Sequence, residues 1–325
     1  MSDCSVALIM TLLNEEKGLS ELLASIDEQT MKPDEVVICD SGSTDGTVQI
    51  INQWKDANPI DVTIINESGI NIAQGRNRAI SAAGSSIICQ TDGGCILQKE
   101  WLREITQPLR NDGQSTGIVY GVTVAVGENK IGEQFAKLHN LKTCGNEVSD
   151  FEHSGGCVAF RKSSWEKVGG YPEWLTLAGE DTLFFQKVEE VSGGQPAAGA
   201  KVYWHHDEDT LYRIYRKHKR NSIGDGEAGL STVRYLCLIA IYLLPVIGLF
   251  LSIWSPEILL LVLIYLVLAC YRHTPALIKR GTKLIDALTI MPAITLYRDL
   301  GMSVGFLIGA TKRFSEKITG RSLKT

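Results

Sequence analysis

Several signals are missing from this sequence of 325 residues, and each absence excludes a class of protein. The formal net charge is −5, whereas nucleic-acid-binding proteins usually have a basic balance, so no nucleic-acid partner is expected. The first residues, MSDCSVALIMTLLNEE, lack the basic segment of a secretory signal, and their apolar stretch runs directly into acidic residues. This absence predicts that the N-terminal domain stays in the cytoplasm.

Paired cysteines are also missing. The eight cysteines form no Cys-x-x-Cys pair and mostly lie inside apolar segments, at Cys4, Cys39, Cys89, Cys95, Cys144, Cys157, Cys237 and Cys270. Reduced, buried thiols are therefore predicted in preference to a zinc site.

Charge nearly disappears from one part of the chain. Between Arg234 and Arg272 the only charged residue is Glu257, whereas residues 1–230 mix charge, glycine and apolar runs as a soluble α/β domain does. Residues 233–254 and 256–271 are long enough for two membrane-spanning helices, although the second is slightly short. We therefore expect a catalytic domain over 1–230 and a transmembrane hairpin over 231–272.

The charges around this hairpin predict its orientation. The turn between its helices has no basic residue, whereas both outer ends carry them, at Arg234, Arg272, Lys279, Arg280 and Lys283. Basic residues favour the cytosolic side, so both ends should face the cytoplasm. Residues 273–325 are expected to form an interfacial or re-entrant amphipathic helix and a basic tail, because Asp286, Pro292 and Arg298 interrupt the apolar pattern. The alternative is that residues 284–314 span the membrane.

Strand and helix patterns alternate in the first domain. Apolar runs at 6–13, 35–40, 62–68 and 86–92 predict strands, and residues 15–29 and 74–83 have helical spacing. Another helix should follow Asp45, which is placed to cap it. This alternation predicts an α/β fold with a mostly parallel sheet.

Acidic and hydroxyl side chains follow the predicted strands. They are Asn14 and Glu15 after the first strand, Asp40, Ser41 and Asp45 after the second, Glu67 after the third and Asp92 after the fourth. Ligands of such sheets bind at the carboxyl ends of the strands. Glycine-rich phosphate loops are scarce here, which argues against a dinucleotide site. Carboxylates suit the hydroxyls of a ribose, the nitrogens of a base, or a divalent cation that carries a diphosphate.

Five segments, in their order and spacing, resemble the inverting family 2 glycosyltransferases of GT-A fold: TLLNEEKGL, VVICDSGSTDGT, GRNRAI, TDGGCILQKEWL and GEDTLF. The resemblance covers residues 5 to about 230. It implies a nucleotide-sugar donor bound by Asn14, Glu15, Asp40, Ser41, Asp45, Arg76, Asn77, Asp92, Gly155, Gly156 and Glu180. His153 precedes the two glycines and is either part of that pocket or structural.

The resemblance assigns the catalytic base to Asp181. Apolar residues at Leu183, Phe184 and Val188 predict a helix that begins near Glu180 and Asp181. An inverting transfer needs one carboxylate to accept the proton of the attacking hydroxyl. The alternative is that these two acids only cap the helix.

One departure from the family pattern concerns the metal. The resemblance makes Asp92 the first acid of an Asp-x-Asp motif, but Gly94 stands where the second acid should bind the cation. In the family a histidine often completes the metal site, and His205 or His206 could serve with Asp92. Histidine suits Mn²⁺ better than Mg²⁺, and an ordinary histidine pair is the alternative.

A basic segment, residues 211–229, precedes the hairpin and ends in Gly224, Asp225 and Gly226. Its cations could meet anionic lipid headgroups or the donor diphosphate. The Gln-x-x-Arg-Trp motif of processive synthases is absent, which favours the addition of a single sugar.

Together these patterns predict an integral membrane protein that moves one sugar, from a UDP-linked donor, to a hydroxyl of a lipid-linked or polysaccharide acceptor of the cell envelope. A polyprenyl-phosphate glycosyltransferase is one alternative. A nucleotide-binding membrane scaffold without catalysis is the other, because the second acid is missing at Gly94.

Overall fold

A computed structural model describes residues 4–111, 115–141, 154–175, 177–279 and 281–319. Within those ranges the strands are β1 (Val6–Leu12), β2 (Glu35–Asp40), β3 (Asp61–Asn66), β4 (Ile87–Gln90), β5 (Cys95–Leu97), β6 (Ile118–Val126), β7 (Val158–Arg161) and β8 (Gly194–His205). The helices are α1 (Glu16–Asp27), α2 (Thr47–Ala57), α3 (Ile72–Ala82), α4 (Trp101–Asn111), α5 (Lys130–His139), α6 (Lys162–Val168), α7 (Glu180–Ser192), α8 (Leu211–Ala228), α9 (Thr232–Leu251), α10 (Glu257–Tyr271), α11 (Thr274–Lys279) and α12 (Leu284–Thr319).

The strands form one mixed, mostly parallel sheet in the order β3-β2-β1-β4-β7-β6-β8-β5. The first four strands are mutually parallel, with β1 between β2 and β4. Antiparallel pairs enter where β7 joins β4 and β6, and where β5 joins β8. The predicted α/β fold with a mostly parallel sheet is confirmed.

Strand β1 shows why the apolar run at its position folds as it does. Alternate side chains of a strand point to opposite faces of the sheet. Leu8 and Met10 pack into the core on one face, whereas Ala7 and Ile9 pack into the core on the other. Helices cover both faces, so a continuous apolar sequence is needed here.

The chain separates into two compact units. The first comprises the described residues within 1–126, 142–176 and 180–206, and it contains the whole sheet. The second comprises the described residues within 127–141, 177–179 and 207–325. The division at residue 206 differs from the expected boundary at 230, because α8 groups with the C-terminal helices. Helix α5, which interrupts the sheet in sequence, belongs to the second unit as well.

In the second unit, α8 and α12 pack backbone to backbone through glycines. A Cβ added to Gly301 would lie 2.5 Å from the carbonyl oxygen of Tyr215, and one on Gly305 would lie 2.2 Å from that of Lys219. Gly309 repeats the contact one turn further along. Glycines spaced four residues apart share one face of a helix, so the two axes can approach closely.

Two helices of the described chain are long and apolar enough to cross a membrane by length and composition, Thr232–Leu251 and Glu257–Lys279. The second is longer than its predicted span because it continues through α11. Most of their side chains are exposed, including Leu244 and Leu260. Exposed apolar surface of this extent indicates a lipid-facing or partner-facing surface.

Helix α12 is one continuous helix of 36 residues, although Pro292 lies inside it. The placement of this helix in a membrane, whether interfacial, re-entrant or spanning, stays a prediction. The basic tail is helical up to Thr319, and residues 320–325 lie outside the described residues.

The cysteine prediction is confirmed for the thiols inside the sheet. Cys39, Cys89, Cys95 and Cys157 are buried and free. Burial raises the pKa of the Cys157 thiol to about 12, which keeps it protonated and unreactive. Cys237 differs, because it lies exposed on α9. Cys144 lies outside the described residues.

Candidate active site

The parallel strands bring the predicted polar residues to one edge of the sheet. Leu12 at the end of β1 pairs with Asp40 at the end of β2, and Ile9 pairs with Gln90 at the end of β4. The residues that follow these strands therefore share the carboxyl edge, where ligands of such sheets bind. The predicted position of Asn14, Asp40 and Asp92 at one edge is confirmed.

The carboxylate of Asp40 organises the turn after β2. One oxygen accepts the backbone N–H groups of Gly42 and Ser43, at 3.0 and 2.9 Å, and the other accepts the Ser43 hydroxyl at 2.5 Å. Asp40 is buried, and Gly42 has a φ of +100° that favours glycine. Both oxygens of Asp40 thus shape the turn, and contact of this residue with a base stays a prediction.

Asn14 and Asp45 link the turns that follow β1 and β2. Asn14 has a φ of +57°, and its side-chain oxygen accepts the backbone N–H of Thr44 at 2.8 Å. Asp45 accepts the backbone N–H of Thr47 at 3.0 Å, one residue before the N-cap Gly46. The expected cap at Asp45 is therefore shifted by one position. Its hydrogen bond from the Thr47 hydroxyl lowers the pKa of Asp45.

Arg76 is the centre of the site. Its Nη1 lies 2.7 Å from the carboxylate of Glu180, and its Nη2 lies 3.1 Å from that of Asp92. The Arg76 side chain is only 3% exposed, whereas Asp92 is 35% exposed. Asn71 and Gln74 form a capping box that fixes the first turn of α3 and hence the direction of Arg76. One buried guanidinium thus joins the ends of β4 and α7.

Glycines allow these charged groups to approach. A Cβ on Gly155 would lie 2.6 Å from Nη2 of Arg76, and one on Gly156 would lie 3.4 Å from the second oxygen of Asp92. A Cβ on Gly93 would lie 2.4 Å from the carboxyl carbon of Glu15. The lack of a Cβ at Gly155 and Gly156 therefore lets the backbone lie close to Arg76 and Asp92. His153 lies outside the described residues.

Two further residues hold the site together and were missed from the sequence. The Gln90 amide donates to the carbonyl of Gly155 at 2.8 Å and accepts the hydroxyl of Tyr171 at 2.9 Å. The guanidinium of Arg76 lies over the Tyr171 ring, 5.3 Å from its centroid. Gln90 offered a signal, since it is a polar residue inside a buried strand; Tyr171 offered none.

Asn77 holds part of the fold. Its amide nitrogen donates to the Tyr171 carbonyl and to Glu173, at 3.0 and 2.9 Å. Its oxygen accepts from the Trp165 indole and the Tyr171 backbone, at 3.0 and 2.9 Å. An asparagine amide makes four hydrogen bonds at most, so none is left for a donor sugar. Contact of Asn77 with a donor would require one of these four bonds to break, and it stays a prediction.

Glu180 and Asp181 form the first turn of α7, as predicted. Glu180 is buried, and burial raises its pKa although Arg76 acts in the opposite direction. Asp181 is partly exposed, and one of its oxygens accepts the backbone N–H of Thr182 at 2.7 Å. The two neighbours thus differ, because Glu180 is bound to Arg76 whereas Asp181 retains an exposed carboxylate.

Backbone geometry explains the glycine at the second acid position. Gly94 has a φ of +72°, and its carbonyl accepts the N–H of His205 at 2.9 Å. A Cβ there would lie 3.2 Å from the His205 carbonyl. Gly94 makes the tight turn that begins β5, so this position serves the sheet. His206, which directly follows His205, is buried. The centre of its ring lies 5.3 Å from that of Trp204.

The described residues bring no three His, Cys, Asp or Glu side chains together as a metal site. Ser41, beside the Asp40 turn, is buried and brings no negative charge that would attract a cation. Asp92 alone, with one oxygen on Arg76, fits a cation that keeps water and substrate phosphates as its other ligands, as Mg²⁺ usually does. A metal ligand role of His206 stays a prediction.

The chain is similar to known glycosyltransferases. The chain is 24% identical to the amylovoran biosynthesis glycosyltransferase AmsB of Erwinia amylovora over 50% of its length and 55% of the relative's. It is 28% identical to the O-antigen chain rhamnosyltransferase WbaN of Salmonella anatum, over 49% of this chain and 52% of that protein. The chain thus spans about half the length of these relatives.

A solved structure shares the fold. The mannosyltransferase PcManGT from Pyrobaculum calidifontis, in complex with GDP-Man and Mn²⁺, aligns with 96% of this chain and 87% of its own, with a TM-score of 0.57 and 19% identity. The sequence profile of Glycosyl transferase family 2 matches residues 7–169, which include the polar edge from Asn14 to Asp92 and both glycines at 155 and 156. The chain therefore belongs to glycosyl transferase family 2, and its fold is GT-A-like.

Proposed function

We propose that this protein moves a single sugar from a UDP-linked donor to a hydroxyl of a lipid-linked or polysaccharide acceptor, with inversion at the anomeric carbon. One observation carries the proposal: Arg76 binds Asp92 on the donor side and Glu180 next to Asp181. The base and the diphosphate end of the donor are thereby held in a fixed relation. Fixed placement of reacting groups supplies much of enzymatic rate acceleration.

In this mechanism Asp181 accepts the proton of the acceptor hydroxyl. At the same time the oxygen of that hydroxyl bonds to the anomeric carbon. The bond from that carbon to the diphosphate breaks, and the diphosphate leaves with the electron pair. Asp181 suits the role because it is partly exposed, whereas Glu180 is engaged with Arg76. The geometric requirement for a base is that it reaches the proton it removes.

The charges of the site support a cation-assisted donor. Asp92 and Glu180 contact Arg76, and the charge of Asp181 also acts on it, so three carboxylates lie near one guanidinium. A diphosphate would be repelled by this surplus of negative charge. A divalent cation bound at Asp92, either Mn²⁺ or Mg²⁺, would neutralise the diphosphate as it leaves.

The acceptor and location are argued from the second unit and from the relatives. AmsB and WbaN are named for amylovoran biosynthesis and for the O-antigen chain, both of which suggest a cell-envelope polysaccharide. Insertion of α9 and α10 would hold the protein in the membrane where such chains are assembled. The basic residues at the ends of this hairpin favour a catalytic unit in the cytoplasm.

The test is the release of nucleoside diphosphate from a panel of UDP and GDP sugars by the detergent-solubilised full chain, with Mn²⁺, Mg²⁺ or EDTA. Wild type and Asp181→Asn are compared with Glu190→Gln, an exposed carboxylate in the last turn of the same helix. We expect turnover to fall by about a hundredfold or more in Asp181→Asn and to stay unchanged in Glu190→Gln. EDTA should abolish it.

Other outcomes would select an alternative. Turnover onto a polyprenyl phosphate that survives Asp181→Asn would indicate a phosphate nucleophile, because an ionised phosphate needs no base. Nucleotide binding without release from any donor would indicate a scaffold and contradict the proposal.

A further inference from the structure

A charged cluster lies among the apolar helices of the second unit. Asp299 on α12 is fully buried and accepts the hydroxyl of Tyr242 on α9 at 2.6 Å. Arg298 contacts the other carboxylate oxygen at 2.9 Å, and Arg272, directly after α10, forms an ion pair with Asp299. His273 lies 3.1 Å from Nη2 of Arg298. Three helices thus meet at one carboxylate.

The cluster carries more positive charge than its internal pairing requires. Asp299 contacts two guanidinium groups, so the cluster holds two arginine charges against one carboxylate. One arginine would suffice to neutralise a buried aspartate. Charged groups among membrane-inserted helices are costly and usually mark a functional site.

The exposure of the three charged groups is unequal. The side chains of Arg272 and Arg298 are 25% and 15% exposed, whereas Asp299 is 0% exposed. A ligand could therefore reach the guanidinium groups but not the carboxylate. Arginine presents a planar fork of N–H donors that matches the oxygens of a phosphate.

The surroundings are suited to an apolar chain attached to that phosphate. Leu243 and Leu244 on α9, and Val267 and Leu268 on α10, are all more than half exposed. Arg272 follows the end of α10, and basic residues there are expected at the level of the lipid headgroups. The same place thus combines a positively charged cluster with exposed hydrocarbon surface.

We propose that Arg272 and Arg298 bind the phosphate monoester of a lipid whose apolar chain lies against α9 and α10. The chemistry is common to an isoprenoid phosphate and to a phosphatidic acid headgroup. The proposal rests on the membrane insertion proposed above, but binding is measured apart from sugar transfer. Its failure would therefore leave the catalytic proposal intact.

The experiment measures binding of farnesyl phosphate, dioleoyl phosphatidic acid, farnesol and inorganic phosphate to the detergent-solubilised full chain. We expect the two lipid phosphates to bind better than farnesol or inorganic phosphate. Arg298→Gln should weaken their binding by about tenfold or more, the effect of losing one charge-assisted contact. Lys312→Gln removes a positive charge from the same helix, where it pairs with Glu227, and should bind as wild type does.

The outcomes are separable. Preference for farnesyl phosphate would support an isoprenoid ligand, and equal binding of phosphatidic acid would support a phospholipid headgroup. The proposal would be overturned if farnesol bound as well as the lipid phosphates. It would also be overturned if Arg298→Gln and Lys312→Gln weakened lipid-phosphate binding equally. Nucleotide binding by the first unit serves as the folding control. If the Arg298→Gln protein does not bind nucleotide, Arg272→Gln is tested in its place, with the same expected and contradicting results.

Discussion

At the scale of single residues, the site depends on one buried arginine that satisfies two carboxylates. Arg76 holds Asp92 and Glu180 at hydrogen-bonding distance, and its own burial is tolerable only because both partners are present. The arginine is therefore a structural requirement of the first unit, whatever contact it makes with a donor.

Replacing Arg76 should be costly. Arg76→Gln leaves two acidic groups beside a neutral amide, and we expect the free energy of unfolding to fall by about 3 kcal/mol or more. Arg78→Gln is the matched control, since this exposed arginine on the same helix pairs with Glu67 at the surface. It should cost less than about 1 kcal/mol. Chemical denaturation measures both, and similar losses would contradict the role of Arg76.

Glu180 predicts a dependence of stability on pH. Burial raises its pKa above the ordinary value of 4.5, so the folded state holds this proton more tightly than the unfolded chain does. The contribution of protonated Glu180 to the free energy of unfolding is greatest below pH 4.5. This contribution is lost as the pH rises through the pKa of the folded state. Relative to Glu180→Gln, wild type should therefore lose stability as the pH rises from about 4.5 to neutral pH.

Urea denaturation of both proteins at the two pH values tests this sign. A gain in wild-type stability over the same range would show that the attraction of Arg76 outweighs burial.

At the scale of elements, the alternation of apolar runs and helical spacing predicted the first four strands, because β1, β2 and β4 are buried on both faces and the edge strand β3 is partly buried. The same patterns placed Asn14, Asp40 and Asp92 at one edge, since that follows from parallel pairing alone. The partnership of Arg76 with Asp92 and Glu180 could not be predicted, because it joins segments up to 104 residues apart. The role of Gly94 was hidden as well, since the turn depends on the β5–β8 pairing.

The packing of α8 against α12 supplies a prediction at this scale. Gly305→Ala places a Cβ 2.2 Å from the Lys219 carbonyl oxygen, and the helices must separate to admit it. We expect a loss of about 1 to 3 kcal/mol, typical of overpacking. Leu307→Ala, on the half-exposed side of α12, should change little. Thermal unfolding in detergent compares the two variants. Equal shifts in unfolding temperature would argue against a close contact between α8 and α12.

At the scale of the whole molecule, the chain combines a family 2 glycosyltransferase unit with two helices that are apolar enough to span a bilayer. If α9 and α10 are inserted, a charge on their outer surface must be destabilising. Leu260→Arg should reduce insertion, at a cost below the value of about 3 kcal/mol for a helix centre, because Leu260 is in the first turn of α10.

The fraction of protein retained in membranes after alkaline carbonate extraction measures this effect. Leu13→Arg is the control, because Leu13 is 52% exposed in the first unit and Leu260 is 63% exposed. Retention of the Leu260→Arg protein at the level of the control would show that α10 does not lie in lipid.

The glycine contacts between α8 and α12 also constrain the order of biosynthesis. Three helices, α9, α10 and α11, separate the two partners along the chain. On the ribosome α8 emerges first, and its counterpart is translated only after the apolar hairpin has already met the translocation machinery. The nascent second unit must therefore wait with one helix surface unpaired, so a premature stop codon before Leu284 would release a chain whose amino-terminal unit is complete but whose α8 has no partner.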